Sequence, residues 1–397
     1  MSEDYLSQQP SSDEILERIK GFGSWFEIDL DHIAFNLRNI RSRVGVELMP
    51  VVKNDSYGHG LLPLVAILVR NGVKWVMVAR LAEALVIKRY GFACDVVNMD
   101  ALYTDEQFRQ VVEKGITQVV YTLESAQKLE DAAEALNRRA GVFVKVDTGL
   151  RRVGVSAGEA VGFMEALSAM KHLDIRGTFS TFMQVPDQDR EMLGRFLAVF
   201  DALESKGIDP GFRSMASSNA ILHYPESWLD MVRPAMTLFG VYPEAADREV
   251  GLSLRQALVF KARVEYLKWV EAGDSVTYFG KFTASKRMRI ATLHTGFYDA
   301  IPRELANKGR IRVGKEFRSN VGSVSLNHYL FDATGSQLEI GDVVEVIGRD
   351  GENDLVTTAQ SAGWMVYSLL NHLNPFTPRV YYERGEPVAI LERSVDI

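Results

Sequence analysis

From Leu48 onward, short apolar runs rich in β-branched residues recur along the chain, and a helical pattern fills nearly every gap. The runs are Leu48–Val52, Trp75–Ala79, Asp95–Asn98, Gln118–Tyr121, Val142–Val146, Ile175–Phe179, Phe212–Met215 and Met231–Val232. The helical stretches between them are Leu62–Arg70, Leu81–Tyr90, Asp105–Lys114, Glu124–Arg138, Ala157–Met170 and Asp189–Lys206. Eight strands with helical connections over roughly 190 residues suit a (β/α)8 barrel of the TIM type. A doubly wound open sheet competes with that reading. No Gly-x-Gly-x-x-Gly follows an early strand, which disfavours a dinucleotide fold.

After Pro243 the texture changes. Glu244–Leu252 is acidic and irregular, a plausible linker. Alternating runs then appear at Leu258–Val264, Arg289–Leu293, Ser319–Val324, Val343–Ile347 and Arg379–Tyr382, separated by glycine-bearing turns, with one helical stretch at Ser361–Leu373. This half reads as a mostly β domain. Since 397 residues exceed one ordinary core, two domains are expected. Residues 24–250 form the barrel and 251–397 the β domain, with residues 1–23 as an N-terminal extension. The strand at 24–30 is placed so that it could pair with the C-terminal domain. Within the extension, a disordered tip and a short amphipathic helix around Asp13 to Lys20 are expected.

The formal charge of −7 argues against a nucleic-acid surface, and no basic block with interleaved aromatics occurs. One cysteine, Cys94, excludes an internal disulfide and a cysteine-rich metal site, and no metal is expected. The first twelve residues lack the basic end and apolar core of a signal peptide. No apolar stretch reaches the ~20 residues of a membrane helix. A soluble cytoplasmic protein is the resulting expectation.

In a barrel, chemistry gathers at the C-terminal ends of the strands. The first strand ends on Lys53, with Tyr57 and His59 in the loop beyond. A lysine at the mouth of a buried strand is costly unless it is paired or used. It is either a snorkelling side chain or a Schiff-base lysine that holds pyridoxal 5'-phosphate. The fifth strand presents Lys145 and Asp147, then Arg151 and Arg152 between glycines, an arrangement suited to an anion. The seventh presents Ser214 and then Ser217 and Ser218 at a helix start. The eighth presents Arg233 followed by Ala235 and Met236. Phosphate sites in barrels often follow strands seven and eight.

With these residues in place, the chain resembles the alanine racemases, pyridoxal-phosphate enzymes built from a barrel and a C-terminal β domain. Four stretches carry the resemblance: Val52 to Gly60, Lys145 to Gly154, Met231 to Gly240, and Pro378-Arg379-Val380-Tyr381. The resemblance implies that Lys53 links to the cofactor and serves as one proton-transfer base. It implies that Arg152 holds the substrate carboxylate and the cofactor's phenolic oxygen, and that Arg233 faces the pyridine nitrogen. Tyr57, Ser218, Tyr381 and the amides near Ala235 and Met236 would hold the phosphate. Lys145 matches a lysine carbamylated in many relatives, beside Arg152. A head-to-tail homodimer with shared active sites is implied, acting on a small amino-acid substrate.

The same resemblance marks departures. The family's second base is expected at the residue after Gly296, where Phe297 stands. Tyr298 is next to it but, on a strand, would point to the opposite face. Leu326-Asn327-His328 replaces a Met-Asp-Gln near the substrate carboxylate, and Thr181 and Ser214 stand where histidines are usual. Substrate contacts are therefore expected from Arg152, Leu326 and Lys145, with His328 the preferred substitute for the missing proton carrier. The functional expectation is an amino-acid racemase of this type, with a substrate other than alanine in view. A different reaction at Cα, such as decarboxylation or retro-aldol cleavage, is the alternative, and a non-catalytic cofactor-binding protein the third reading.

Overall fold

The computed structural model describes residues 5–393. Strand β1 (Ser24–Asp29) comes first, followed by the barrel strands β2 (Glu47–Leu48), β3 (Trp75–Val78), β4 (Asp95–Asn98), β5 (Thr117–Val120) and β6 (Ala140–Asp147). A short β7 (Val155–Ser156) leans on β6, and the barrel continues through β8 (Leu173–Phe179), β9 (Phe212–Ser214) and β10 (Met231–Val232). From β3 to β9 the ladder is parallel and unbroken, β7 lying off its path. It closes through β10, which pairs with β2 in parallel, and through the bridge between Val51 and Met77. Asp230 N donating to Arg213 O, and Arg233 N to Ala216 O, joins β9 to β10. Eight parallel strands thus form a ring, and the apolar runs read continuously because helices cover their outer faces while side chains fill the centre.

The second half is a mostly β unit. Its strands are β11 (Leu258–Val270), β12 (Ser275–Val276), β13 (Phe282–Thr283), β14 (Met288–Leu293), β15 (Arg310–Val313), β16 (Glu316–Ser319), β17 (Tyr329–Asp332), β18 (Val343–Ile347), β19 (Arg379–Glu383) and β20 (Glu386–Leu391). The main sheet runs β16-β15-β18-β11-β1-β19-β20. Strand β1 lies inside it, antiparallel to β11 and parallel to β19. Trp25, Phe26 and Ile28 are buried there, and Phe26 stacks on Phe260 with centroids 4.5 Å apart.

Three local expectations change. The N-terminal tip is not wholly irregular, for Tyr5–Gln8 forms a 3-10 turn that buries Tyr5 and Leu6, while the first four residues lie outside the described region. Tyr5 packs edge-on to Tyr90 at 5.6 Å, which anchors the turn on the barrel's outer face. The helix expected at Ser361–Leu373 is two helices, Leu355–Ala362 and Val366–Asn371. Gly363, at φ +72, ends the first in a left-handed cap, the usual role of glycine there. Of the strand expected at Ser319–Val324, only Ser319 lies in a strand, as the last residue of β16; Asn320 makes a single bridge to Phe331, and a loop runs on to Tyr329.

Candidate active site

Lys53 lies at the mouth end of the barrel, directly after the bridge between Val51 and Met77. The chain then makes a left-handed turn, with Asn54, Asp55, Ser56 and Tyr57 all at φ between +52 and +55. For L-residues this conformation costs roughly 1–2 kcal/mol each, so the surroundings must enforce it. Glu83 Oε1 accepts from Asp55 N at 2.9 Å, and Asp55 Oδ1 accepts from Leu61 N at 2.9 Å. Arg393 Nη2 donates to Asp55 Oδ2 at 2.6 Å. From the β domain, Arg379 Nε donates to Gly58 O at 2.7 Å. Its Nη1 donates to the carbonyls of Asn374 and Thr377. The turn is clamped from both halves of the molecule.

Burial lowers the pKa of the Lys53 amine, and the positive charge of Arg152 lowers it further, against an opposing pull from Glu83. A lysine depressed in this way is a better nucleophile near neutrality. His59 is fully buried and stacks on Phe239 at 4.2 Å. Burial pushes its pKa down to about 4, so it is neutral and structural, with Nδ1 facing the carbonyls of Ser56 and Tyr57.

Opposite Lys53 lies a group of cations. Lys145 on β6 is buried, its Nζ donates to Thr181 Oγ1 at 3.1 Å, and it lies 4.6 Å from the centre of the Phe179 ring. Burial, and then the charges of Arg233 and Arg152, push its pKa down to about 7 despite Asp147. Arg233 is buried, with Nη1 donating to Ser214 Oγ at 2.7 Å and Nη2 to Ser180 O at 2.6 Å. Burial lowers its pKa to about 9, so the guanidinium remains charged at neutral pH. Arg152 is exposed, on the loop that Asp147 shapes by accepting from the amides of Gly149 and Arg151.

Beside Arg233, Ser218 Oγ accepts from Ala235 N at 2.9 Å and from Thr237 Oγ1 at 3.2 Å. Its own proton is thus free for a ligand, and Met236 opens the 3-10 turn Met236–Phe239 at the same spot. Tyr57 is buried between Phe239 and Tyr367, with ring centroids 5.7 and 6.3 Å away, and burial raises its pKa. The structure therefore gathers Lys53, Lys145, Arg152 and Arg233 at one end of the barrel, with hydroxyls and amides at Ser218, Ala235 and Met236. A converging set of cations with so few acids fits a ligand bearing a phosphate and a carboxylate. Pyridoxal 5'-phosphate with an amino acid is such a ligand, and the lowered Lys53 amine suits its aldehyde.

Three sequence expectations require correction. Tyr381 does not offer its hydroxyl to this pocket: it is fully buried, donates to His59 O at 2.8 Å, and presses on Gly60. Tyr367, missed in the sequence, is the tyrosine beside Tyr57, and burial raises its pKa to about 12. Phe297 and Tyr298 belong to the 3-10 turn Phe297–Asp299, so the alternation of a strand does not apply to them. The Phe297 ring lies under the Arg303 guanidinium at 5.4 Å. His328 faces Glu265 and His294 on the β domain rather than Lys53.

Leu326 is half exposed, and its loop is tied to two neighbours. Phe297 N donates to Ser325 O and Tyr298 N to Leu326 O, both at 3.0 Å. On its other side, Ser323 N donates to Thr277 Oγ1 at 2.7 Å and Ser323 Oγ to Tyr278 O at 2.9 Å. Tyr278 is 69% exposed, between Thr277 at φ +64 and Phe279 at φ +65. The only sequence signal for it is the aromatic cluster around Gly280, which marks a turn.

The chain matches the family models of the alanine racemase N-terminal domain over residues 28–243 and C-terminal domain over residues 257–381. It is 32% identical over 365 residues to the alanine racemase of Desulforamulus reducens, covering 90% of this chain and 98% of that one. It is also 32% identical to alanine racemase 2 of Caldanaerobacter subterraneus, over 91% of this chain and 95% of that one. Among solved structures, the alanine racemase of Clostridium difficile superposes with a TM-score of 0.87 at 29% identity, over 94% of this chain and 98% of that chain. The barrel, the β unit and both family models agree, and the chain belongs to the alanine racemase family of pyridoxal 5'-phosphate-dependent isomerases.

Proposed function

We propose that the protein racemises a small amino acid, alanine first, by moving the Cα proton between Lys53 on one face and Tyr278 on the other. The observation that carries this reading is the desolvated Lys53 amine, facing Lys145, Arg152 and Arg233 at the barrel mouth. When bound, the cofactor draws electrons from Cα and makes its proton acidic. Lys53 serves as base or acid on its own side. Arg152 would bind the substrate carboxylate, Arg233 would donate to the cofactor's pyridine nitrogen, and Tyr57, Ser218, Ala235 and Met236 would hold the phosphate.

Racemisation needs a second proton carrier, because Lys53 reaches one face only. Phe297 has no transferable proton, and His328 is turned to Glu265. Tyr278 is an exposed phenol on a turn with two non-glycine residues at positive φ. Strain of this kind persists where neighbours over-determine it, and it clusters at functional sites. Here the neighbour is the loop that bears Leu326.

Tyr278 and Leu326 act in the barrel mouth of a second copy, in a head-to-tail dimer. The exposed side chains of Tyr278, Phe279, Phe297, Tyr298 and Leu326 support this, since clustered apolar surface marks an interface. Chiral chromatography after incubating the holoenzyme with L-alanine and other small L-amino acids tests the reaction, and sedimentation at assay concentration tests the assembly. Release of carbon dioxide or aldehyde without formation of D-enantiomer would replace racemisation with the alternative chemistry. A fully active monomer would refute the shared site.

A further inference from the structure

Three residues distant in sequence meet at one end of the β unit. Glu265 lies on β11 at the irregularity between Val264 and Tyr266, where the register with β14 slips. His294 follows the last residue of β14, and His328 precedes the first residue of β17. Leu293 pairs with Tyr329 across β14 and β17, so the two histidines continue that ladder side by side. A bulge re-aims the side chain it carries and is over-represented near functional sites. Here it aims a carboxylate at two imidazoles.

The distances are informative. His294 Nδ1 lies 3.3 Å and His328 Nε2 3.4 Å from the same oxygen, Glu265 Oε2. Charge-assisted hydrogen bonds are shorter, at ~2.7–2.9 Å. Ligand atoms around a tetrahedral zinc ion with bonds of ~2.0–2.1 Å stand roughly 3.3 Å apart. All three ligand atoms lie within 4.8 Å of one another. The imidazole planes are set at 87°, with centroids 5.6 Å apart, so they do not block each other. Glu265 and His328 border an open groove of about 570 Å³ that also holds Tyr278 and Ser325.

We propose that Glu265, His294 and His328 form a surface site for a zinc-class divalent ion, with water completing the tetrahedron. Two imidazoles and one carboxylate with an open position are a donor set that zinc accepts. The site would join β11, β14 and the loop ahead of β17. That loop is the one bearing Leu326, and Ser325 N donates to His328 O at 3.0 Å. A bound ion would therefore fix the loop from its far end.

The test is titration of chelator-treated holoenzyme with Zn2+ alone, read by calorimetry, and with Co2+, read by its visible absorption. One ion per chain, an intensified cobalt band of tetrahedral type, and a raised melting temperature are expected. His294→Ala and Glu265→Gln should each weaken binding at least about tenfold, the lower bound set by the loss of mere outer-shell partners. They should also remove the cobalt band while leaving cofactor absorbance and melting temperature without metal unchanged. Equal affinity in wild type and both variants would place the ion elsewhere and overturn the proposal. So would the absence of binding at roughly millimolar Zn2+.

Discussion

Lys145 and Arg233 donate to one hydroxyl, Thr181 Oγ1, at 3.1 and 3.4 Å, and both lie over the same face-forming ring, Phe179. Two cations brought to one acceptor repel, and only Lys145 can relieve the repulsion by losing a proton. Burial first, and then this repulsion together with the charge of Arg152, lowers its pKa to about 7.

With a folded pKa near 7 and an ordinary value of 10.5, the folded state binds fewer protons than the unfolded state between those limits. Stability contributed by this group therefore rises with pH from about 7 to about 10.5 and is lost on acidification through 7. Lys145→Met should flatten that slope and stabilise the cofactor-free protein by a few kcal/mol near pH 7. Urea unfolding of both proteins across this range, in buffers free of carbon dioxide, measures it. Parallel curves would be inconsistent with a buried, depressed amine.

Neutral amines react with carbon dioxide, and a carbamate on Lys145 would put an anion among Arg152, Arg233 and Lys53. Protein equilibrated with 13C-bicarbonate should show a carbamate carbon resonance that is missing in Lys145→Met. Racemase activity should rise with bicarbonate in wild type alone.

Tyr278→Phe should lower racemisation by ~10²–10⁴-fold, the usual cost of removing a positioned general acid–base. Phe297→Tyr should change it by no more than about threefold, because that ring is already engaged by Arg303. A large gain from Phe297→Tyr, with Tyr278→Phe silent, would return the missing-phenol reading to favour.

Borohydride treatment of the holoenzyme should fix the cofactor covalently, with the label in the peptide that contains Lys53. Lys53→Ala should lose both the label and the yellow colour. A label of equal intensity in that variant would exclude Lys53 as the attachment point.

Gly60 is the tightest backbone position in the active-site loop. At φ +92, an added Cβ would fall 1.9 Å from the Tyr381 hydroxyl. Gly60→Ala should destabilise the protein by about 2–5 kcal/mol, from strain and overpacking together. Tyr381→Phe should recover only part of this, since Cζ remains 3.1 Å away. Thermal unfolding of the single and double variants separates the two contributions.

The barrel was legible because its strands are buried on both faces and their apolar runs are unbroken. Lys53 was legible because a charge ending such a run is costly. Tyr381 was misread because a motif fixes where a residue falls on a strand but not what occupies the next turn. Here the carbonyl of His59 takes its hydroxyl. Phe297 was misread because Thr295 to Asp299 looks extended until Asp299 folds back to accept from Gly296 N. Glu265, His294 and His328 were invisible as a group, since only the pairing of β11, β14 and β17, and one bulge, brings them together.

Strand β1 also governs the order in which the protein can be completed on the ribosome. Its first partner, β11, is made about 230 residues after it, and its second, β19, about 350 residues after it. At ~5–20 residues per second, the second wait is roughly 20–70 s. For that time a strand containing Trp25, Phe26 and Ile28 remains without a full set of neighbours. A nascent chain halted after the barrel is thus left with an exposed sticky strand, and the β unit made without its N-terminus has a slot in the middle of its sheet. A cut between residues 243 and 257, where the two family models divide, would therefore part β1 from both of its strand partners.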